Sequence, residues 1–189
     1  MSDTVDAALL ACYQRSGIQY DTVEEAWRQS QHLSPLVGWV LARFPDERAF
    51  RVCADWLARC AERIPEAKPA ADLFAQATAR EKGPHQANVV AGRLGDLRNG
   101  AIMAGKPAVA AFADGASDLA EVWAAATTGQ VDAEVDPWAR GRTASKALVT
   151  AWAGHAGLDS DDKAARAQAT KALLDLLREC RAAGGLAET

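Results

Sequence analysis

Apolar residues recur along this chain at intervals of three and four, and almost nowhere at intervals of two, so the pattern predicts helices. The clearest case is "DERAFRVCADWLARCAER", residues 46–63. Ala49, Cys53, Trp56, Leu57 and Cys60 make one apolar stripe, while Glu47, Arg51, Asp55, Arg59 and Arg63 make the opposite face, with charges alternating at i,i+4 over the first four. This predicts an amphipathic helix, partly exposed and packed on a core.

The same spacing predicts further helices. Val5, Ala8, Leu9, Cys12 and Tyr13 mark residues 3–16, with Gly17 placed to stop the helix. Asp21-Thr-Val-Glu24 reads as a capping box opening a helix to about His32. Ser34-Pro35 reads as an N-cap and first-turn proline for a helix ending near Phe44. Beyond the Pro65–Pro69 break, "PAADLFAQATAREKG" predicts a helix closed by Gly83-Pro84, and Pro84 then suits the first position of the next. "KPAVAAFADGAS" predicts a short helix ending at Gly115. Asp118 and Glu121 are placed to cap another carrying Leu119, Val122 and Trp123, and "TGQVDAEVDP" reads as a loop. A helix from Asp136-Pro137 or Thr143 runs to about Ala156, with Leu148, Ala151 and Trp152 inward. Ser160-Asp161-Asp162 opens the last, which buries Ala169, Leu173, Leu176, Leu177 and Cys180 and stops at Gly184-Gly185. The expectation is an all-α fold, a compact bundle of about 8–10 helices with no sheet. Its organisation is expected as N-terminal helices (1–33) packed on or appended to a main helical domain (34–184), then a disordered tail at 185–189.

"NVVAGRLGDLRNGAIMAGKP", residues 88–107, raises the question of a phosphate-cradling loop. Gly92, Gly95 and Gly100 do not make GxGxxG, and Gly105-Lys106 is followed by Pro107 rather than Ser or Thr. Both nucleotide motifs also need a strand leading into the loop. Ala87, Val90, Ala91, Leu94, Leu97 and Ala101 instead keep helical spacing, so a helix is expected, its glycines retained for a close helix crossing.

Composition supports helix: 43 alanines against three isoleucines. The net charge is −4, and the 15 Arg and 6 Lys are interspersed with acids, which argues against nucleic acid and anionic lipid. No apolar run reaches the roughly 20 residues a membrane span needs. The acidic start MSDTVDAALL carries no charged-then-apolar leader, so a cytoplasmic location is expected. Cys12, Cys53, Cys60 and Cys180 are scattered without a CxxC pair, as reduced core thiols are; pairing of Cys53 or Cys60 with His32, His85 or His155 in space stays open.

No catalytic spacing or cofactor motif emerges, and two functions remain. The favoured one is a non-enzymatic protein-interaction module, such as an adaptor, an accessory or a toxin-neutralising immunity-type protein. Trp123 and Trp138, flanking the polar segment that holds Asp132 and Glu134, are its candidate partner anchors, because aromatics dominate interface hot spots. The alternative is a small enzyme or metal-binding protein with a site at His155, Asp159 and Asp162. Alanine-rich helix faces also make a homodimer plausible.

"FPDERAFRVCADWLARCAERIPEAKPAADLFAQA", "AAFADGASDLA" and "TASKALVTAWA" follow one another in the order found in a bacterial family of alanine-rich helical domains of unknown function, which the chain resembles over roughly residues 34–180. That family opens on Pro-x-Arg-Glu-Ala where this chain has Pro-Asp-Glu-Arg-Ala, and the family's proline-rich run after the Gly-Ser turn is missing here. The resemblance implies a helical accessory protein and carries no catalytic residues.

Overall fold

A computed structural model describes residues 2–78, 85–128, 135–159 and 161–186. Among them are nine α-helices and no strand. In chain order these are α1 (Ser2–Arg15), α2 (Val23–Gln29), α3 (Leu33–Leu41), α4 (Glu47–Arg63), α5 (Lys68–Ala75), α6 (His85–Met103), α7 (Pro107–Thr128), α8 (Pro137–His155) and α9 (Lys163–Ala183).

Local chemistry sets the ends. Asp46 caps α4 by accepting the Arg48 amide at 2.8 Å, Asp136 caps α8 through the Trp138 and Ala139 amides, and Asp162 caps α9 through Ala164. The capping box of α2 lies one residue later than expected. Thr22 Oγ1 accepts the Glu25 amide, and Glu25 Oε2 accepts the Asp21 amide. His32, rather than Ser34, sits at the N-cap of α3 and makes no side-chain cap bond. Gly17, Gly105, Gly157 and Gly185 take positive φ just past helix ends, the conformation that glycine adopts without penalty.

The interior has two aromatic centres. Phe50 stacks on Phe74 at 4.8 Å, and both Phe44 and Phe50 pack on Trp123. Trp27 meets Trp39 edge-on at 5.2 Å, and the Arg43 guanidinium lies 3.8 Å over the Trp39 ring. Trp56 of α4, fully buried, donates to the Leu173 carbonyl and so ties α4 to α9. All five stripe residues expected on α4 are buried, joined by Phe50, Val52 and Ala61. On α9 Leu174 is buried and Leu176 only half-buried, and Trp152 is half-buried at the edge of the core.

The N-terminal helices are packed on the body. Asp6 of α1 accepts from Trp39 Nε1 at 2.7 Å and from Arg43 Nη2 at 2.6 Å. Glu24 of α2 is ion-paired with the buried Arg181 of α9. At the other terminus Leu186 is buried and its carbonyl accepts from Arg181 Nε, so Gly185-Leu186 belong to the fold; residues 187–189 lie outside the described residues.

Three expectations are corrected. Gly115 does not end a helix: α7 runs straight through it, because a Cβ there would lie 2.9 Å from Leu148 Cγ and the missing side chain is what lets α7 approach α8. Asp118 and Glu121 therefore sit within α7 rather than at a cap, both ion-paired with Arg140 of α8. The glycines of α6 mark no crossing, for a Cβ at Gly92, Gly95 or Gly100 would meet nothing within 4 Å. The close crossing is elsewhere, at Gly38 of α3 and Gly141 of α8. A Cβ on Gly141 would fall 2.7 Å from the Gly38 nitrogen. The expected helix closure at Gly83-Pro84, the start at Pro84 and most of the 127–136 loop fall outside the described residues.

Candidate binding groove between the α2–α3 corner and α8–α9

The sequence-derived candidates do not assemble into a site. Trp123 is only 5% exposed, wedged between Phe44 and Phe50 with its indole N–H donating to the Ala77 carbonyl, so it is core and no partner anchor. Trp123 lies on the inward face of α7, one and two turns beyond the buried Leu119 and Ala116. Trp138 is half-buried and its ring lies against Gly38, covering the α3–α8 crossing. Asp132 and Glu134 lie outside the described residues. His155 and Asp159 are exposed at the end of α8 and just beyond it. Asp159 Oδ1 accepts the Asp161 amide at 2.9 Å and Asp162 Oδ1 the Ala164 amide at 2.8 Å, so both carboxylates serve local turns. Among the described residues no three His, Cys, Asp or Glu side chains converge as a metal ion needs.

Three of the four thiols, Cys53, Cys60 and Cys180, are buried, and Cys12 is half-buried. Burial pushes Cys53 and Cys60 far above the ordinary thiol value and Cys180 up to about 11, which suppresses the thiolate that a nucleophile requires.

The structure instead shows a concave surface that no short motif announces. Two depressions, of about 310 and 870 Å³, share Gln31, His32 and Thr170. They form one groove between the corner joining α2 to α3 and the flanks of α8 and α9.

The corner is rigid for identifiable reasons. Ser30 leaves α2 in an extended conformation, and its Oγ accepts from Tyr13 at 2.7 Å and from the His32 amide at 3.0 Å. Burial pushes the Tyr13 phenol well above its usual range, the Ser30 hydrogen bond opposing weakly, so Tyr13 remains a donor at any working pH. Arg178 of α9 supplies what the end of α2 lacks. Its Nε donates to the Trp27 carbonyl at 2.6 Å and its Nη2 to the Ser30 carbonyl, satisfying carbonyls that a helix C-terminus leaves open. Below the rim, Leu33, Val149 and Leu174 are buried apolar floor, and Ser145 turns its hydroxyl away to the Gly141 carbonyl.

The rim is positive. Arg28, Lys146 and Arg166 are exposed, and among the described residues no carboxylate pairs with any of them. The acids at helical spacing are engaged elsewhere: Glu24 with Arg181, Glu25 with the Asp21 amide and Gln29, Asp162 with the cap of α9. Asp175, the single acid among the described residues of the lining, is shared between Lys171 at 2.6 Å and Arg178. His32 and the hydroxyls of Ser16, Ser34 and Thr170 add polar groups between the cations. A chain of net charge −4 thus presents a local positive groove.

These residues escaped the sequence because they come from three distant stretches. One sign was available: Lys146 has no acid at three or four residues on either side. No helix among the described residues is long and apolar enough to cross a membrane. No known protein family, curated protein or solved structure matches the chain.

Proposed function

We propose that this chain is a helical protein-interaction module without catalytic work of its own, and that it receives an acidic segment of a partner protein in the groove beside α8 and α9. The observation that carries this is the set of three exposed cations, Arg28, Lys146 and Arg166, along one concavity, none of which has a carboxylate partner among the described residues. Unpaired charges at a rim steer association and select the sign of the partner. The apolar floor of Leu33, Val149 and Leu174 supplies the desolvated centre that a bound segment packs against. Single-stranded nucleic acid fits less well, since it favours exposed aromatic platforms, and among the described residues the one Phe, Tyr or Trp lining the groove, Tyr13, is buried.

The test is fluorescence anisotropy with a labelled Glu/Asp-rich peptide of about a dozen residues, run beside a Lys-rich peptide and an oligothymidine of similar length. The acidic peptide should bind the wild-type chain, weaken as salt rises, and lose roughly tenfold or more in affinity on Lys146→Glu with Arg166→Glu. Equal binding by wild type and the double variant, or preference for the oligothymidine, would overturn the proposal.

A further inference from the structure

Helix α6 turns a face to solvent that is complementary to itself. Its inner stripe of Ala87, Val90, Leu94 and Ala101 is buried against the body. On the other side Val89, Gly92, Arg93, Asp96, Leu97 and Gly100 fall on one outward face at 3.6 residues per turn. Val89 and Leu97 are 38% and 37% exposed, Met103 on the same face is 88% exposed, and the space over Gly92 and Gly100 is open. Neither Arg93 nor Asp96 has an ion-pair partner among the described residues. Exposed glycines weaken a helix relative to alanine, and nothing within the described chain uses the room they leave.

We infer that this face is a homodimer interface in which α6 packs antiparallel on α6 of a second copy, about a two-fold axis passing between residues 94 and 95. The register follows from the sequence order along the face. With the axis at that point, Arg93 lies level with Asp96 of the other copy, Leu97 with Gly92, and Val89 with Gly100. Each of these matches occurs twice, as an isologous contact requires. Opposite charges meet and each apolar knob meets a glycine, which lets the two backbones approach closely. A second copy is the occupant that the charges select: the face offers one positive and one negative residue in the order that its own reversal neutralises. This surface is separate from the cationic groove, and neither proposal depends on the other.

Analytical ultracentrifugation of the full chain tests it. The wild type should show reversible association to twice the chain mass of 20.0 kDa. A single helix pair about 25 Å long at 1.5 Å per residue makes a small, weak interface, so the series should extend to about 0.5 mM. Arg93→Asp and Asp96→Arg each set like charges together twice and should weaken the dimer roughly tenfold or more, while the combined exchange restores it. Gly92→Gln with Gly100→Gln should give a monomer that melts at or above the wild-type temperature, showing that the helix is intact and only the approach is blocked. A wild type that stays monomeric throughout, single charge variants that associate like wild type, or a combined exchange that fails to restore association would each overturn the inference.

Discussion

Glycine does opposite work at the two sides of this molecule. Where α8 meets α3 and α7, the absent side chains of Gly141, Gly38 and Gly115 are filled by neighbours. A Cβ would collide with backbone at Gly141, and with the Trp138 ring and Leu148 at the other two. On α6 the same residue type stands over open space at Gly92, Gly95 and Gly100. The closed side is held by geometry that admits no extra atom. The open side leaves its backbone uncovered by the described chain. A glycine within a helical pattern therefore signals close approach inside this chain at Gly38, Gly115 and Gly141 but not on α6, where the dimer proposed above would supply the approaching body.

The sharpest way to break this contrast is to hollow the closed side. Trp123→Ala removes an indole from between Phe44 and Phe50 and leaves the Ala77 carbonyl without its donor. It should cost roughly 3–5 kcal/mol of stability, read by urea denaturation. A loss below about 1 kcal/mol, of the size surface substitutions give, would place Trp123 outside the core and return it to the list of surface anchors.

That residue also shows how far the sequence could be read. The stripe of α4, the start of the last helix at Asp161-Asp162, the first of the two starts read for α8 (Asp136-Pro137 or Thr143) and the all-helical class follow from spacing and short-range hydrogen bonds, so they were legible. What failed depended on distinguishing a glycine that ends a helix from one that lets it pass. Gly17 and Gly185 end helices with positive φ, whereas Gly115 has the same one-letter signature and lies mid-helix. Taking Gly115 as a stop cut α7 in two and gave Asp118 and Glu121 an imagined capping role, while the nearness of Trp123 to the polar segment said nothing of the inward face it shares with Leu119. The groove was illegible for a different reason. Its cations come from α2, α8 and α9, and their freedom from partners depends on where Glu24, Glu25 and Asp162 spend their oxygens, which only the folded chain decides.

A paired substitution of intermediate size compares the two sides directly. Gly141→Ala drives a methyl into the Gly38 backbone and should cost about 1–3 kcal/mol despite alanine's better helix propensity. Gly92→Ala meets nothing and should instead stabilise the chain by roughly 0.5–1 kcal/mol. Thermal melts of the two single variants at low protein concentration, where association is minimal, give opposite signs if the contrast holds. The same sign in both would abolish it.

The smallest effect sharpens the contrast in electrostatic terms. On α7 the acids Asp114, Asp118 and Glu121 share a face, but Asp114 pairs with Arg98 of α6 where both side chains are about half exposed, whereas Glu121 sits against Arg140 where burial matters more. Desolvation holds the Glu121 carboxyl above its ordinary value of 4.5, and Asp118 and Asp114 add to this, while the Arg140 guanidinium opposes it and does not win. A carboxyl raised in the folded state binds its proton more tightly there than in the unfolded chain. Its contribution to stability is therefore complete below 4.5 and is lost as pH rises through the folded value. Glu121→Gln mimics the protonated form, so at pH 7 it should melt at or slightly above the wild-type temperature, and the two melts should converge as pH falls below 4.5. If the variant instead melts lower at pH 7, the 2.7 Å ion pair with Arg140 outweighs the cost of burying the charge, and the closed side tolerates ionised groups as readily as the open one.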